Sequence, residues 1–196
     1  MVIKEFEKLG WVNEPRWFKA VEMENGAIGC TISHIKCIEL AKRMGLSHVV
    51  ICEDDIKFSS PSTFTENLEK FLSSGIEWNV ILLAGNNVGQ YIDTGEGAVQ
   101  IQMCQTTTGY IVKSDYYDTL INNFKEGLGK LIREPFNHSK YAIDKYWFYL
   151  QIIGKWFLIY PLTVTQQSVY SDIEKKVLNY DRLMLTLDKS SWFKRK

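Results

Sequence analysis

Two apolar runs limit the fold more than any other feature: "HVVIC" at residues 48–52 and "WNVILLAG" at 78–85. Each has strand length, and each follows a segment with helical character. Before the first, Ile32, Ile35, Ile38, Ala41 and Met44 recur at three-residue steps beside Cys37 and Leu40, and Gly45 stands as a stop, which predicts a helix over 29–44. Before the second, "SSPSTFTENLEKFLSSG" has Ser and Pro at its start, Glu66 in its early turns and Gly75 at its end. Helix, buried strand, helix, buried strand is the rhythm of a parallel sheet with helices on its faces. The expectation is a three-layer α/β fold with a mainly parallel central sheet whose core strands include 48–53 and 78–84.

The remaining segments are less regular. "MVIKEFEKL" places Val2, Ile3, Phe6 and Leu9 on one helical face ahead of Gly10, and "RWFKAV" reads as a short strand. "AVQIQMCQTTTGYIV" reads as a strand, a turn around Gly109 and a second strand. Ser114 can cap a helix carrying Tyr117, Leu120, Ile121 and Phe124; "YAIDKYWFYLQII" predicts a further helix, and "KWFLIYP" a late strand halted by Pro161.

At 196 residues, with no repeat and no Pro/Gly/Ser-rich linker, the chain is expected to form a single domain over 1–196. Lys plus Arg and Asp plus Glu both total 23, so no net field draws in a polyanion, and nucleic acid is excluded as the main partner. Cys30, Cys37, Cys52 and Cys104 form no CxxC pair and suit a reducing compartment. The sequence shows no signal peptide, and no apolar run approaches the roughly 20 residues of a membrane span, so a cytoplasmic protein is expected. The tail "SSWFKRK" offers Trp192 and Phe193 beside Lys194, Arg195 and Lys196 for contact with an anionic membrane surface, although solvated basic tails are commoner.

The first apolar run ends in three acids, Glu53, Asp54 and Asp55. Three adjacent carboxylates at the end of a buried strand repel one another unless a cation, a donor or water compensates them. In open sheets, ligands bind beyond the carboxyl ends of the parallel strands. Residues two apart on an extended segment share a face, so Glu53 and Asp55 are candidates to hold Mg²⁺ or Mn²⁺, with Asp54 turned toward a backbone or hydroxyl donor. The plainer alternative is an acidic turn in solvent. A second candidate is the helix start "GAIGCTISH", where Gly26 and Gly29 permit close approach and Thr31, Ser33 and His34 could face an anion. A lone Gly pair is a weak signal, and a histidine there is more often structural.

Together, "GAIGCTISHIKCIELA" and "VVICEDDIKF" resemble glycosyltransferase family 25, whose members carry a Gly-Cys-x-x-Ser-His helix followed by an apolar strand ending in Glu-Asp-Asp. "QTTTGYIV", "YAIDKYW" and "QQSVYSDIE" are similar to later blocks of that family, especially in its compact members from large DNA viruses, and the resemblance reaches Asn179. It implies a GT-A-like, Rossmann-type αβα domain. It also implies a nucleotide-sugar donor, usually a UDP-sugar, and a glycan or glycoprotein acceptor, as in lipopolysaccharide and collagen glycosyltransferases. The cofactor implied is Mn²⁺ or Mg²⁺ at the acidic triplet. By position, Glu53 and Asp55 match the metal motif, and Ser33, His34 and Asp54 the donor-binding residues. Asp144, in "YAIDKYWFY", matches the acid expected as general base of an inverting transfer, within an apolar, sugar-stacking surround of Tyr141, Tyr146 and Trp147; Asp172 is the runner-up.

Family members normally open with a strand and an Arg-rich turn that help hold the nucleotide, whereas "MVIKEFEKLGW" matches the helix after it. The expectation is therefore an N-terminally shortened member with an exposed sheet edge, which a homodimer would cover. Truncation, weaker nucleotide binding and loss of binding all remain open. Two rivals stand beside the enzyme reading. A phosphatase with an aspartyl nucleophile would need an aspartate where Cys52 or Glu53 stands. A noncatalytic glycan-binding or scaffold protein derived from the family is the stronger alternative.

Overall fold

The computed structural model describes residues 2–11, 15–167, 170–171, 176–177 and 179–193. Its helices are α1 (Val2–Glu7), α2 (Gly26–Arg43), α3 (Pro61–Ser73), α4 (Tyr117–Arg133), α5 (His138–Tyr141), α6 (Ile143–Tyr146), α7 (Phe148–Ile153) and α8 (Asp181–Met184). Its strands are β1 (His48–Cys52), β2 (Ile56–Phe58), β3 (Val80–Leu82), β4 (Asn86–Asn87), β5 (Tyr91–Asp93), β6 (Ala98–Ile101), β7 (Cys104–Gln105), β8 (Gly109–Lys113), β9 (Trp156–Ile159), β10 (Val164–Gln166), β11 (Tyr170–Ser171) and β12 (Lys176–Val177).

Six strands form the central sheet in the order β1-β8-β3-β9-β6-β5. Only β3 and β9 pair in parallel; β1-β8, β8-β3, β9-β6 and β6-β5 are antiparallel. The expected mainly parallel sheet is therefore corrected to a mainly antiparallel one. The cause lies in β8. Strands β1 and β3 do run in the same direction, as the helix–strand rhythm suggests, but β8 lies between them with Ile111 opposite both Val50 and Ile81. A strand buried over most of its length, as Gly109–Val112 is, carries no sequence mark of its direction or its neighbours.

The strands alternate strictly between two cores. Val80, Leu82, Tyr110, Val112, Trp156 and Leu158 face α2, α4, α6 and α7, whereas Ile81, Ile111, Phe157 and Ile159 face α1, α3 and the small β2-β10 sheet. Helices thus cover both faces. In α1, Val2 and Phe6 are buried as expected, while Ile3 is exposed. Helix α2 begins earlier than 29, because the side chain of Asn25 caps it by accepting from the Ala27 and Ile28 N–H groups. The predicted strand "RWFKAV" is absent: the segment has no ladder partner, Trp17 is exposed, and the Val21 N–H is instead tied to Ser33 Oγ at 2.8 Å. "YAIDKYWFYLQII" is broken into parts of α5, then α6 and α7, rather than one helix.

Strand β1 is an edge, with His48 and Val50 exposed and no strand on its outer side among the described residues. Among those residues, no helix is long and apolar enough to cross a membrane. The basic residues 194–196 lie outside the described residues.

Candidate functional site

Strands β1, β3 and β9 end at one margin of the sheet, and the acids emerge from the first of them. The Glu53 N–H donates to Thr108 O at 2.9 Å, which carries the β1-β8 ladder one step beyond Cys52. The chain then turns into β2, whose pairing places Ile56 opposite Gln166 of β10, and the Gln167 N–H donates to Asp55 O at 2.7 Å. This register brings the Gln166 amide between the two acids: Nε2 lies 3.1 Å from Glu53 Oε2 and 3.4 Å from Asp55 Oδ1. Glu53 and Asp55 thus both meet the Gln166 amide, brought there by a turn over 53–56 rather than by the extended segment the sequence suggests. Asp54 is exposed and accepts no hydrogen bond from the described residues.

The other oxygen of Glu53 faces α2 and the Thr turn. Thr107 Oγ1 donates to Glu53 Oε1 at 2.7 Å, His34 Nε2 stands 3.7 Å from the same atom, and the Cys30 thiol 3.9 Å. Burial alone would raise the Glu53 carboxyl, but His34, Thr107 and Gln166 outweigh it and hold the group below its usual range. Asp55 has the opposite balance. Burial, followed by the charges of Glu53 and Asp54, pushes its carboxyl up to about 7, with the Gln166 amide compensating only in part. Glu53 Oε2 and Asp55 Oδ1, which the one amide reaches together, are the oxygens that could hold a hard divalent ion.

Asp144 joins the same turn from the other side. It sits in the first turn of α6, where its Oδ2 accepts the Thr106 N–H at 3.1 Å and lies 3.6 Å from Lys145 Nζ. Thr106 has a φ of +77°, a left-handed conformation that costs a β-branched residue about 1–3 kcal/mol. Two buried side chains stabilise the approach to it: Gln151 takes the Cys104 N–H at 2.7 Å and donates to Cys104 O at 2.9 Å, and Trp147 Nε1 donates to that carbonyl at 2.9 Å. The strained turn thus bridges Asp144, through Thr106, to Glu53, through Thr107.

The predicted sugar-stacking surround of Asp144 is corrected. Trp147 is fully buried in the core, Tyr141 is buried against α2 and α4, and Tyr146 turns its hydroxyl to Glu126 and Lys130. The helix-start expectation also changes. A Cβ on Gly29 would stand 2.4 Å from Val21 O, so this glycine admits the chain's own backbone. Thr31 and Ser33 donate to the Ala27 and Gly29 carbonyls. Of the donor-binding candidates on α2, Ser33 belongs to this bracket and only His34 reaches the acids. Asp172 lies outside the described residues.

Cys30, Thr106, Thr107 and Gln166 join the site without being sequence-level candidates for it. Cys30 lies one helical turn before His34, a spacing that puts both on one face. Nothing local marks Gln166, whose place depends on a strand pairing between residues 56 and 166.

The family model "Glycosyltransferase family 25 (LPS biosynthesis protein)" matches residues 12–131. The chain belongs to glycosyltransferase family 25. The matched stretch holds Cys30, His34, the acidic triplet and the Thr turn; Asp144 and Gln166 lie beyond it. A search of curated proteins finds no match.

Proposed function

We propose that this family 25 member moves a sugar from a nucleotide-sugar, a UDP-sugar by preference, to a hydroxyl of a glycan or glycoprotein acceptor, with inversion at the anomeric carbon. The observation that carries the reading is that one strained turn joins Glu53, through Thr107, to Asp144, through Thr106, while Gln166 ties Asp55 to Glu53, at the margin where β1, β3 and β9 end. Glu53 Oε2 and Asp55 Oδ1 would hold Mn²⁺ or Mg²⁺, which when bound supplies positive charge for the donor diphosphate. Gln166 orients both carboxylates. Asp54, exposed beside them, is free to meet a donor hydroxyl.

Asp144 is the proposed general base. Among the described residues, its hydrogen bond and its ion pair both fall on Oδ2, so Oδ1 is left to accept the proton of the acceptor hydroxyl as that oxygen attacks the anomeric carbon. The bond from the sugar to the nucleotide breaks in the same step, and the nucleotide diphosphate leaves with the electron pair. The Thr106 N–H fixes the base against the acids, which supports a set distance between the attacked carbon and the leaving group.

The test is sugar transfer from a panel of UDP-sugars to glycan and glycoprotein acceptors with added Mn²⁺. Wild type should turn over, Asp144→Asn should lose at least about a hundredfold in rate, and Asp55→Ala should lose transfer altogether. Turnover by Asp144→Asn at the wild-type rate removes Asp144 from the role. A wild type that binds no nucleotide favours the scaffold reading.

A further inference from the structure

Cys30, His34 and Glu53 present one sulfur, one nitrogen and one oxygen that all lie within 4.8 Å of one another. We propose that these three side chains form a second metal site, for Zn²⁺ or a similar borderline transition ion, distinct from the hard-ion site between Glu53 and Asp55. The two sites would draw on opposite oxygens of Glu53: Oε1 faces Cys30 and His34, and Oε2 faces Gln166 and Asp55.

Distance supports the assignment. A tetrahedral Zn²⁺, with bonds of about 2.3 Å to sulfur and about 2.0 Å to nitrogen and oxygen, holds its ligand atoms roughly 3.3–3.5 Å apart. Here His34 Nε2 and Cys30 Sγ stand 3.7 and 3.9 Å from Glu53 Oε1, a few tenths of an ångström beyond those spacings, and the three ligand atoms lie within 4.8 Å of one another, so side-chain adjustment of about an ångström or less per ligand closes the set. The second observation is how the ligands are held. His34 Nδ1 is hydrogen-bonded to the hydroxyl of fully buried Tyr110 at 2.9 Å, which fixes the ring and leaves Nε2 as the coordinating atom. Thr107 donates to Glu53 Oε1 itself at 2.7 Å and so holds the ligating carboxylate oxygen in place. Cys30 and His34 come from successive turns of α2, so their spacing is set by the helix.

Chemistry separates this site from its neighbour. Thiolate and imidazole favour Zn²⁺ or Co²⁺ over Mg²⁺ and Mn²⁺, which prefer oxygen donors. On binding, Cys30 gives up its thiol proton to solvent and the sulfur takes the metal in its place. Three protein ligands leave one position of a tetrahedron for an exogenous oxygen.

The experiment is Co²⁺ titration of the full chain after chelator treatment, followed by absorbance. The expected result is a thiolate-to-cobalt charge-transfer band in the near ultraviolet, bleached by Zn²⁺ and not by Mg²⁺. Cys30→Ser abolishes the band; Cys37→Ser and Cys52→Ser retain it. Tyr110→Phe lowers Co²⁺ affinity about tenfold while keeping the band, as loss of an outer partner should. Asp55→Ala, which removes the hard-ion site, also keeps the band, so failure here and failure of the transferase reading are told apart. No band in wild type, a band that survives Cys30→Ser, or a band lost in Asp55→Ala or Cys37→Ser overturns the proposal.

Discussion

Replacing Asp55 by Asn removes one negative charge from the acidic cluster and keeps an oxygen for the Gln166 amide. The Asp55 carboxyl is pushed from its ordinary value of 3.8 up to about 7, first by burial and then by Glu53 and Asp54. Between those two values the native state holds a proton that the unfolded chain has already released. Stability of the metal-free protein therefore falls as pH rises through that window and is lowest above it. At about 1.4 kcal/mol for each tenfold change in proton affinity, the penalty has a ceiling of ~4 kcal/mol. Asp55 is only partly buried, and solvent screening brings this to ~1–2 kcal/mol. Asp55→Asn should accordingly raise the metal-free melting temperature by roughly 2–8 °C above pH 7 and change it little near pH 4. Thermal unfolding followed by circular dichroism at both pH values, with and without Mn²⁺, measures this. Added Mn²⁺ should stabilise wild type above pH 7 and leave Asp55→Asn unmoved. A gain that is the same at both pH values, or no gain above pH 7, would refute the electrostatic account of the cluster.

Three further outcomes follow from the packing. Gln151→Leu leaves the buried Cys104 N–H without a partner and should cost ~1–3 kcal/mol in urea unfolding, with transfer activity falling as the turn that carries Thr106 and Thr107 loosens. Glu5 accepts the Phe58 N–H at 3.0 Å and pairs with Lys8 at 2.6 Å, tying α1 to β2. Burial would raise this carboxyl, yet Lys8, the Phe58 N–H and Lys57 together lower it, so its stabilisation is present above the ordinary carboxylate range and is lost as pH falls through the lowered value. Glu5→Gln should thus destabilise by ~1 kcal/mol at neutral pH and by nothing in strong acid, as read from the pH dependence of the urea midpoint. Gly97 has a φ of +82°, and a Cβ there would meet Asn67 O at 2.5 Å, so Gly97→Ala should cost at least ~2 kcal/mol by the same assay.

The sequence makes the local chemistry of this fold readable and leaves its long-range pairing hidden. Gly45 and Gly75 end their segments with φ values of +65° and +75°, as their positions predict, because a glycine stop is a property of a few adjacent residues. Tyr117, Leu120, Ile121 and Phe124 are all buried on α4, because helical periodicity is equally local. The insertion of β8 between β1 and β3 is a relation between segments some 30–60 residues apart, and the apolar residues of β8 suit a central strand of either direction. The site divides in the same way. Glu53 and Asp55 are recognisable as a local pair, but the reason differs from strand alternation: β1 ends at Cys52, and a turn closed by the Ile56 N–H on Glu53 O at 3.4 Å carries Asp54 and Asp55. Gln166 reaches them only through the β2-β10 register, and Asp144 meets Thr106 across 38 residues of chain, beside a Cys104 backbone held by Trp147 and Gln151. The aromatics around Asp144 carry no sequence mark of whether a ring packs inward or faces a sugar; Trp147 fills the core.

The central claim is that the acids at the end of β1 bind a nucleotide through a divalent ion. Calorimetric titration of UDP into the full chain tests it most directly, with Mn²⁺ present or absent and with wild type set against Asp55→Ala. The account predicts saturable binding of UDP to wild type that requires Mn²⁺ and disappears in Asp55→Ala. Binding of the same strength without the ion, or undiminished in Asp55→Ala, would contradict it.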